Sequence, residues 1–291
     1  MFEDISKWEH IGFGGKSTLE KEELRSPDNL TYLIKYPRSF AVGVSWEDIT
    51  ELIAAKIGRI YGLETMTVEI VVRHGKRGCL LRNFVEEQGC DMAEEGGALL
   101  SSLTSGYSLL QESSLNKMDL IKAGFQIVEE FDYWSQIKED FISMLIFDIL
   151  IGNQDRHPYN WSLLFFSSGY VKLSPIYDNG ASLGFRFDDQ SLQAYLDNPQ
   201  KLDKYIKNTK VKAGLFEKKK VSAIDLLTYL SKYYPVEFDR NLIKIEAFDI
   251  PCYEDFICSL EYITRYQREW LLAIIPFRIK KIIEWARMLK E

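Results

Sequence analysis

At 291 residues the chain can form one large domain or two modest lobes sharing an interface. Its 46% hydrophobic and 13% aromatic content is enough for a substantial core and excludes a disordered chain. With 36 basic and 43 acidic residues, net charge −7, there is no electrostatic footprint for direct nucleic-acid binding.

The N-terminus, MFEDISKWEH, has neither the basic region nor the apolar run of a signal peptide. No segment reaches the roughly 18 uncharged apolar residues of a membrane span. Cys79, Cys90, Cys252 and Cys258 form no C-x-x-C pair, and the only histidines are His10, His74 and His157, a poor set for zinc. The expectation is a soluble cytoplasmic protein without disulfides.

In chain order, WEHIGFGGKSTLE (residues 8–20) holds a glycine-rich turn. LTYLIKY (30–36) alternates as a strand does. WEDITELIAAKIGRIY (46–61) places Ile49, Leu52, Ile53, Ile57 and Ile60 at helical spacing, and Gly62 suits its C-terminal cap. TMTVEIVVR (65–73) and CLLRNFV (79–85) read as a hairpin around HGKRG. The stretch GGALLSSLTSGYSLLQESS stays unresolved between loop and short helix. NKMDLIKAGFQIVEEF and YWSQIKEDFISMLIFDILIG are helical. WSLLFF and YVKLSPIYD are short strands about the turn SSG, and the chain from about residue 190 is mostly helical. This predicts an α+β protein with a small mixed β N-lobe, residues 1–90, and a mainly α-helical C-lobe, residues 91–291. The border falls near residues 86–95.

The chemistry centres on GNQDRHPYN, residues 152–160, delivered by the apolar run FISMLIFDILI. Asp155 and Asn160 have a D-x-x-x-x-N spacing, and YDNG follows with Asp178 in a D-x-G. Alone, the loop also fits an ordinary turn, because Asp and Asn bond local backbone. Phosphoryl transfer needs this pattern: hard oxygen ligands for Mg²⁺, supplied by Asn160 and Asp178, and a base, Asp155, near the attacking hydroxyl. Upstream, Gly12, Gly14 and Gly15 in GFGGKS would let backbone amides approach phosphates. The spacing is not that of a Walker A loop, and a plain hairpin turn is the alternative. Lys35 lies in a strand and Glu51 sixteen residues later in a helix, the order of the ion pair that holds the α- and β-phosphates in kinases. Each also has an ordinary solvent-facing reading. The five features nevertheless stand in the order of a kinase.

Through GNQDRHPYNWSLL, LSPIYDNGASLGF and TELIAAKIGRIYGL the chain resembles the HipA-like Ser/Thr kinases, in a compact form, over roughly residues 11–185. The resemblance implies a two-lobed protein-kinase-like fold, a bacterial source and ATP and Mg²⁺ as cofactors. It implies a protein substrate and, as a partner, a small helix-turn-helix antitoxin; toxin or secreted-effector roles stay open. It implies Asp155 as base, Lys35 as phosphate anchor paired with Glu51, and Asn160 and Asp178 as metal ligands. ATP contacts would come from Gly14, Gly15, Lys16, Ser17, His157 and the backbone of Arg82 and Phe84 at the hinge. Ser17, with Thr18 beside it, would be the autophosphorylation site. A phosphatidylinositol-type lipid kinase and an inactive kinase-fold binding module are the competing readings.

Overall fold

A computed structural model describes residues 2–14, 20–40, 43–103 and 105–290. Among the described residues, six strands form one sheet in the order Glu3–Asp4, Val68–Arg73, Lys76–Arg82, Thr31–Lys35, Lys21–Arg25, Glu9–Phe13. Glu3–Asp4 pairs parallel to its neighbour and the other pairs are antiparallel.

Helix Glu47–Tyr61 packs on this sheet. Its apolar spacing does what the sequence predicts: Ile49, Ile53 and Ile57 are buried, while Ala55 joins Met66, Val68, Cys79 and Leu81 in a small core under the sheet. Gly62 ends the helix in the left-handed region, φ 87°, where a Cβ would be costly. At the other end, Asp48 is buried and pairs with Arg77 at 2.6 Å, fixing the helix to strand Lys76–Arg82.

Beyond the sheet the chain is mainly helical, so the α+β expectation holds. The stretch left unresolved by sequence is two helices, Gly96–Leu103 and Ser105–Glu112. The helix signal is weak there because the glycines answer to distant neighbours. A Cβ on Gly96 would lie 2.2 Å from the Trp161 ring, and one on Gly97 2.5 Å from Tyr159. Met92–Glu95 is a strand that sequence missed; it pairs with Ser162–Phe165, which pairs in turn with Val171–Leu173. Helix Trp134–Ile151 runs through the centre of the largest core, with every residue from 141 to 151 buried. No described helix is long and apolar enough to cross a membrane.

Candidate functional site

The apolar helix Trp134–Ile151 carries one buried carboxylate, Asp148, near its C-terminal end. Gly152 then turns the chain at φ 67°, in a space where a Cβ would meet Arg278 at 2.5 Å. Asp148 receives Arg156 in a two-pronged bond, Nε to Oδ2 at 3.0 Å and Nη2 to Oδ1 at 3.1 Å. The same guanidinium donates to the Asn160 carbonyl at 2.8 Å, to the Tyr177 carbonyl, and to Asn179 Oδ1 at 2.5 Å. Arg156 is completely buried, and its rigid fork of donors joins the loop 153–160 to the loop 177–180. A long hydrophobic helix thus delivers a polar loop because the loop's organiser must itself be buried and fully bonded.

Within the first loop, Asn153 Nδ2 bonds Asp148 Oδ1 at 3.0 Å and Asn153 Oδ1 receives the Asp155 amide at 3.0 Å. Asn160 Nδ2 donates to the Asp155 carbonyl at 2.9 Å. With its nitrogen committed, the Asn160 side chain has its oxygen left for a cation.

The second loop is held from the opposite side. Glu51, buried on helix Glu47–Tyr61, accepts the Asn179 amide at 2.9 Å, the Asn179 side-chain nitrogen at 3.2 Å and the Gly180 amide at 2.8 Å. Thr50 Oγ1 donates to the Gly180 carbonyl at 2.7 Å. Gly180 lies so close to the helix that a Cβ would be 3.0 Å from the Glu47 carbonyl. Burial pushes the Glu51 carboxyl above its usual range, opposed by Lys35. Asp178 takes a left-handed backbone, φ 58°, which Asp tolerates better than most residues.

The expected Lys35–Glu51 ion pair gives way to another. Lys35 Nζ lies 3.0 Å from Asp178 Oδ1, and among the described residues Asp178 is its ion-pair partner. Glu51 directs both its oxygens to three N–H donors of the loop, although its charge still acts on Lys35. Burial works against the Lys35 charge, but Asp178 and Glu51 outweigh it and raise its pKa. Burial likewise pushes Asp178 up, and Lys35 holds it below the ordinary carboxylate range.

Lys35, Glu51, Asp155, His157, Asn160 and Asp178 line one cavity of about 1040 Å³, and Phe84 lies at its apolar end with Met66, Leu81 and Tyr177. Phe84 stacks on Tyr177 with ring centroids 5.5 Å apart. Arg82 stands outside the lining, a departure from expectation: its amide donates to the Thr67 carbonyl at 3.2 Å, and its side chain reaches Glu87 at 3.4 Å. His157 Nδ1 is buried without a hydrogen-bond partner among the described residues. Gly14 passes directly over Lys21 and Leu33, where a Cβ would come within 2.8 Å of either. Gly15, Lys16, Ser17 and Thr18 lie outside the described residues.

Four participants escaped the sequence reading. Arg156 and Asp148 form the buried hub described above. Lys21 faces Lys35 directly across strands Lys21–Arg25 and Thr31–Lys35, and both line the cavity. Like charges so placed repel unless an anion lies between them, and burial together with Lys35 lowers the Lys21 pKa. Lys212 places Nζ 2.6 Å from Asp155 Oδ1. Cross-strand pairing could have flagged Lys21; nothing local marks Lys212.

A family model for the HipA-like C-terminal domain matches residues 11–228. Serine/threonine-protein kinase CtkA of Helicobacter pylori is 29% identical over 148 residues, 50% of this chain and 45% of that protein; the chain thus matches less than half the length of this curated relative. The crystal structure of a Helicobacter pylori proinflammatory kinase CtkA superposes with a TM-score of 0.78 at 23% identity, covering 99% of this chain and 98% of the other. The HipA of Shewanella oneidensis, solved with HipB and its operator DNA, superposes with a TM-score of 0.60 at 12% identity, covering 99% and 70%. The fold is therefore the kinase-like one, and over most of its length the chain belongs to the family of HipA-like C-terminal domains.

Proposed function

We propose that the chain is an ATP- and Mg²⁺-dependent Ser/Thr protein kinase of HipA type. The observation that carries this is the convergence of Lys35, Asp155, Asn160 and Asp178 on one cavity from three separate chain segments. Phe84, Tyr177, Met66 and Leu81 give that cavity an apolar end for a flat base, and Lys21 and Lys35 a cationic roof for phosphates. Asp178 and the free oxygen of Asn160 are two hard ligands. That number suits Mg²⁺, which takes one or two protein oxygens and completes its octahedron with phosphates and water. A bound Mg²⁺ would neutralise charge on the phosphate oxygens.

Asp155 accepts the proton of a Ser or Thr hydroxyl as its oxygen forms a bond to the γ-phosphorus, and the bond from phosphorus to the ADP oxygen breaks. Lys212 aims the Asp155 carboxylate. With nucleotide bound, Lys35 would turn from Asp178 to the phosphates, and Asp178 would be free to hold a metal ion. Glu51 holds the loop of Asp178 rather than the lysine itself. Ser17 or Thr18, following the glycines, is the proposed site of self-modification, and a small helix-turn-helix antitoxin the proposed partner.

The test is transfer of labelled phosphate from Mg-ATP to protein and to phosphoinositide vesicles, with intact-mass measurement of the enzyme itself. Protein labelling lost in Asp155→Ala is expected. Labelling of vesicles alone would transfer the site to lipid kinases; Mg-ATP binding without any transfer would make the chain a binding module.

A further inference from the structure

Next to the nucleotide cavity, and sharing Arg38, Asp155 and Ala181 with it, begin two adjoining hollows of about 220 and 280 Å³. They share Gln154 and Tyr205, and the first opens onto Asp155. Besides Arg38, four cations line them: Arg186 and Lys220 in the first, Lys201 and Lys204 in the second. None of the four has a carboxylate within 4.0 Å among the described residues. Arg38, also in the lining, is balanced by Glu47 at 3.5 Å. The only carboxylate in either lining is Asp155 itself, and that is already paired with Lys212. In a chain of net charge −7 this is a local reversal of sign at the place where an acceptor hydroxyl must arrive. The crowding registers on Lys220, whose ammonium is pushed below its ordinary value by partial burial and by Lys212 and Arg186.

Building on the kinase reading, we infer that this groove receives an acidic peptide, a Ser or Thr flanked by carboxylates, and presents its hydroxyl to Asp155. Lys220 reaches Gln154 Oε1 at 3.4 Å and Lys201 lies over the Tyr195 ring, yet neither charge is neutralised. Cations without a carboxylate in a concave site raise the local concentration of an opposite charge and select against a like one. Gln154 and Asn208 supply side-chain amides that can bond an extended main chain. A membrane-borne headgroup fits less well. The aromatic side chains in the linings, Phe185, Phe187, Tyr195 and Tyr205, are only partly exposed, and none of the large exposed apolar side chains, such as Phe13, Val44 or Met92, lines either hollow.

The experiment uses the full chain and fluorescent Ser peptides differing only in their flanks: glutamates, neutral residues or lysines. Anisotropy should show the acidic peptide binding about tenfold or more tighter than the neutral one at low salt, with the gap closing once the screening length falls to about 8 Å. The double variant K204E/K220E should weaken the acidic peptide and strengthen the basic one, a reciprocal gain that misfolding cannot produce. Equal binding of the three peptides, or a double variant with unchanged preference, overturns the inference. So does displacement of the peptide by phosphoinositide vesicles at lower concentration than by unlabelled peptide. Phosphate transfer measured on the same samples separates the two readings. Acidic preference without any transfer upholds the groove and rejects the kinase, whereas transfer without preference does the reverse.

Discussion

Lys212 Nζ lies 2.6 Å from Asp155 Oδ1, although the two come from loops far apart in the chain. The lysine side chain is only 13% exposed, whereas that of Asp155 is 45% exposed. A half-buried cation therefore holds an accessible carboxylate. Asp155→Ala should bind Mg-ATP as the wild type does and lose transfer by about a hundredfold or more. Lys212→Met should lower kcat by about tenfold to a hundredfold with little change in the KM for ATP, because it removes a fixed charge beside the reacting groups. Wild-type turnover in Asp155→Ala, on a substrate the wild type phosphorylates, would remove the base from the mechanism.

The exchange of partners at Lys35 separates two roles that the sequence had joined. Lys35→Met leaves Asp178 partly exposed and able to hydrate, so the thermal midpoint should move little while transfer falls about a hundredfold. Glu51→Gln presents an NH₂ group where N–H donors already point. It should cost about 2 kcal/mol of stability through unsatisfied amides and weaken Mg-ATP binding by loosening residues 178–180. Thermal unfolding and nucleotide titration of both variants check this. A Glu51→Gln protein with unchanged melting and unchanged nucleotide affinity would contradict the role of the three bonds.

Arg156 is the residue on which both loops depend. Arg156→Met removes the guanidinium and strands Asp148 without its cation in the core, at a cost of about 3–5 kcal/mol. Arg156→Lys keeps the charge and loses the fork, so it should recover only part of that loss. Denaturant midpoints rank the three proteins. A lysine variant as stable as the wild type would show that charge alone suffices.

His157 gives the fold a pH dependence. Burial outweighs the pull of Asp155 and lowers its pKa from the usual 6.5, with Lys212 adding to the lowering. Below about pH 6.5 the unfolded chain takes up a proton that the folded chain refuses. The unfolded state then binds more protons, and stability falls as pH drops until the lowered folded value is reached. The melting temperature of the wild type should therefore fall more between pH 7.5 and 5.5 than that of His157→Gln. Parallel curves for the two proteins would exclude this source.

The period of the helix around Ile49, Ile53 and Ile57, the strand carrying Lys35 and the spacing of Asp155, Asn160 and Asp178 were all legible in the sequence. They rest on local rules: side-chain periodicity, turn chemistry and the order of residues along the chain. The pairing of charges was not legible, because it depends on which loops meet. Lys35 pairs with Asp178, while the Glu51 oxygens face the Asn179 and Gly180 amides. Arg156 reads as one more surface cation in a polar loop until Asp148 appears beside it in the core. The two helices Gly96–Leu103 and Ser105–Glu112 were hidden for the same reason: Gly96 and Gly97 answer to Trp161 and Tyr159, which chain topology places against them. Local sequence thus determined the elements and the candidate chemistry, and tertiary packing alone decided which charged group neutralises which, because burial makes each such choice costly to reverse.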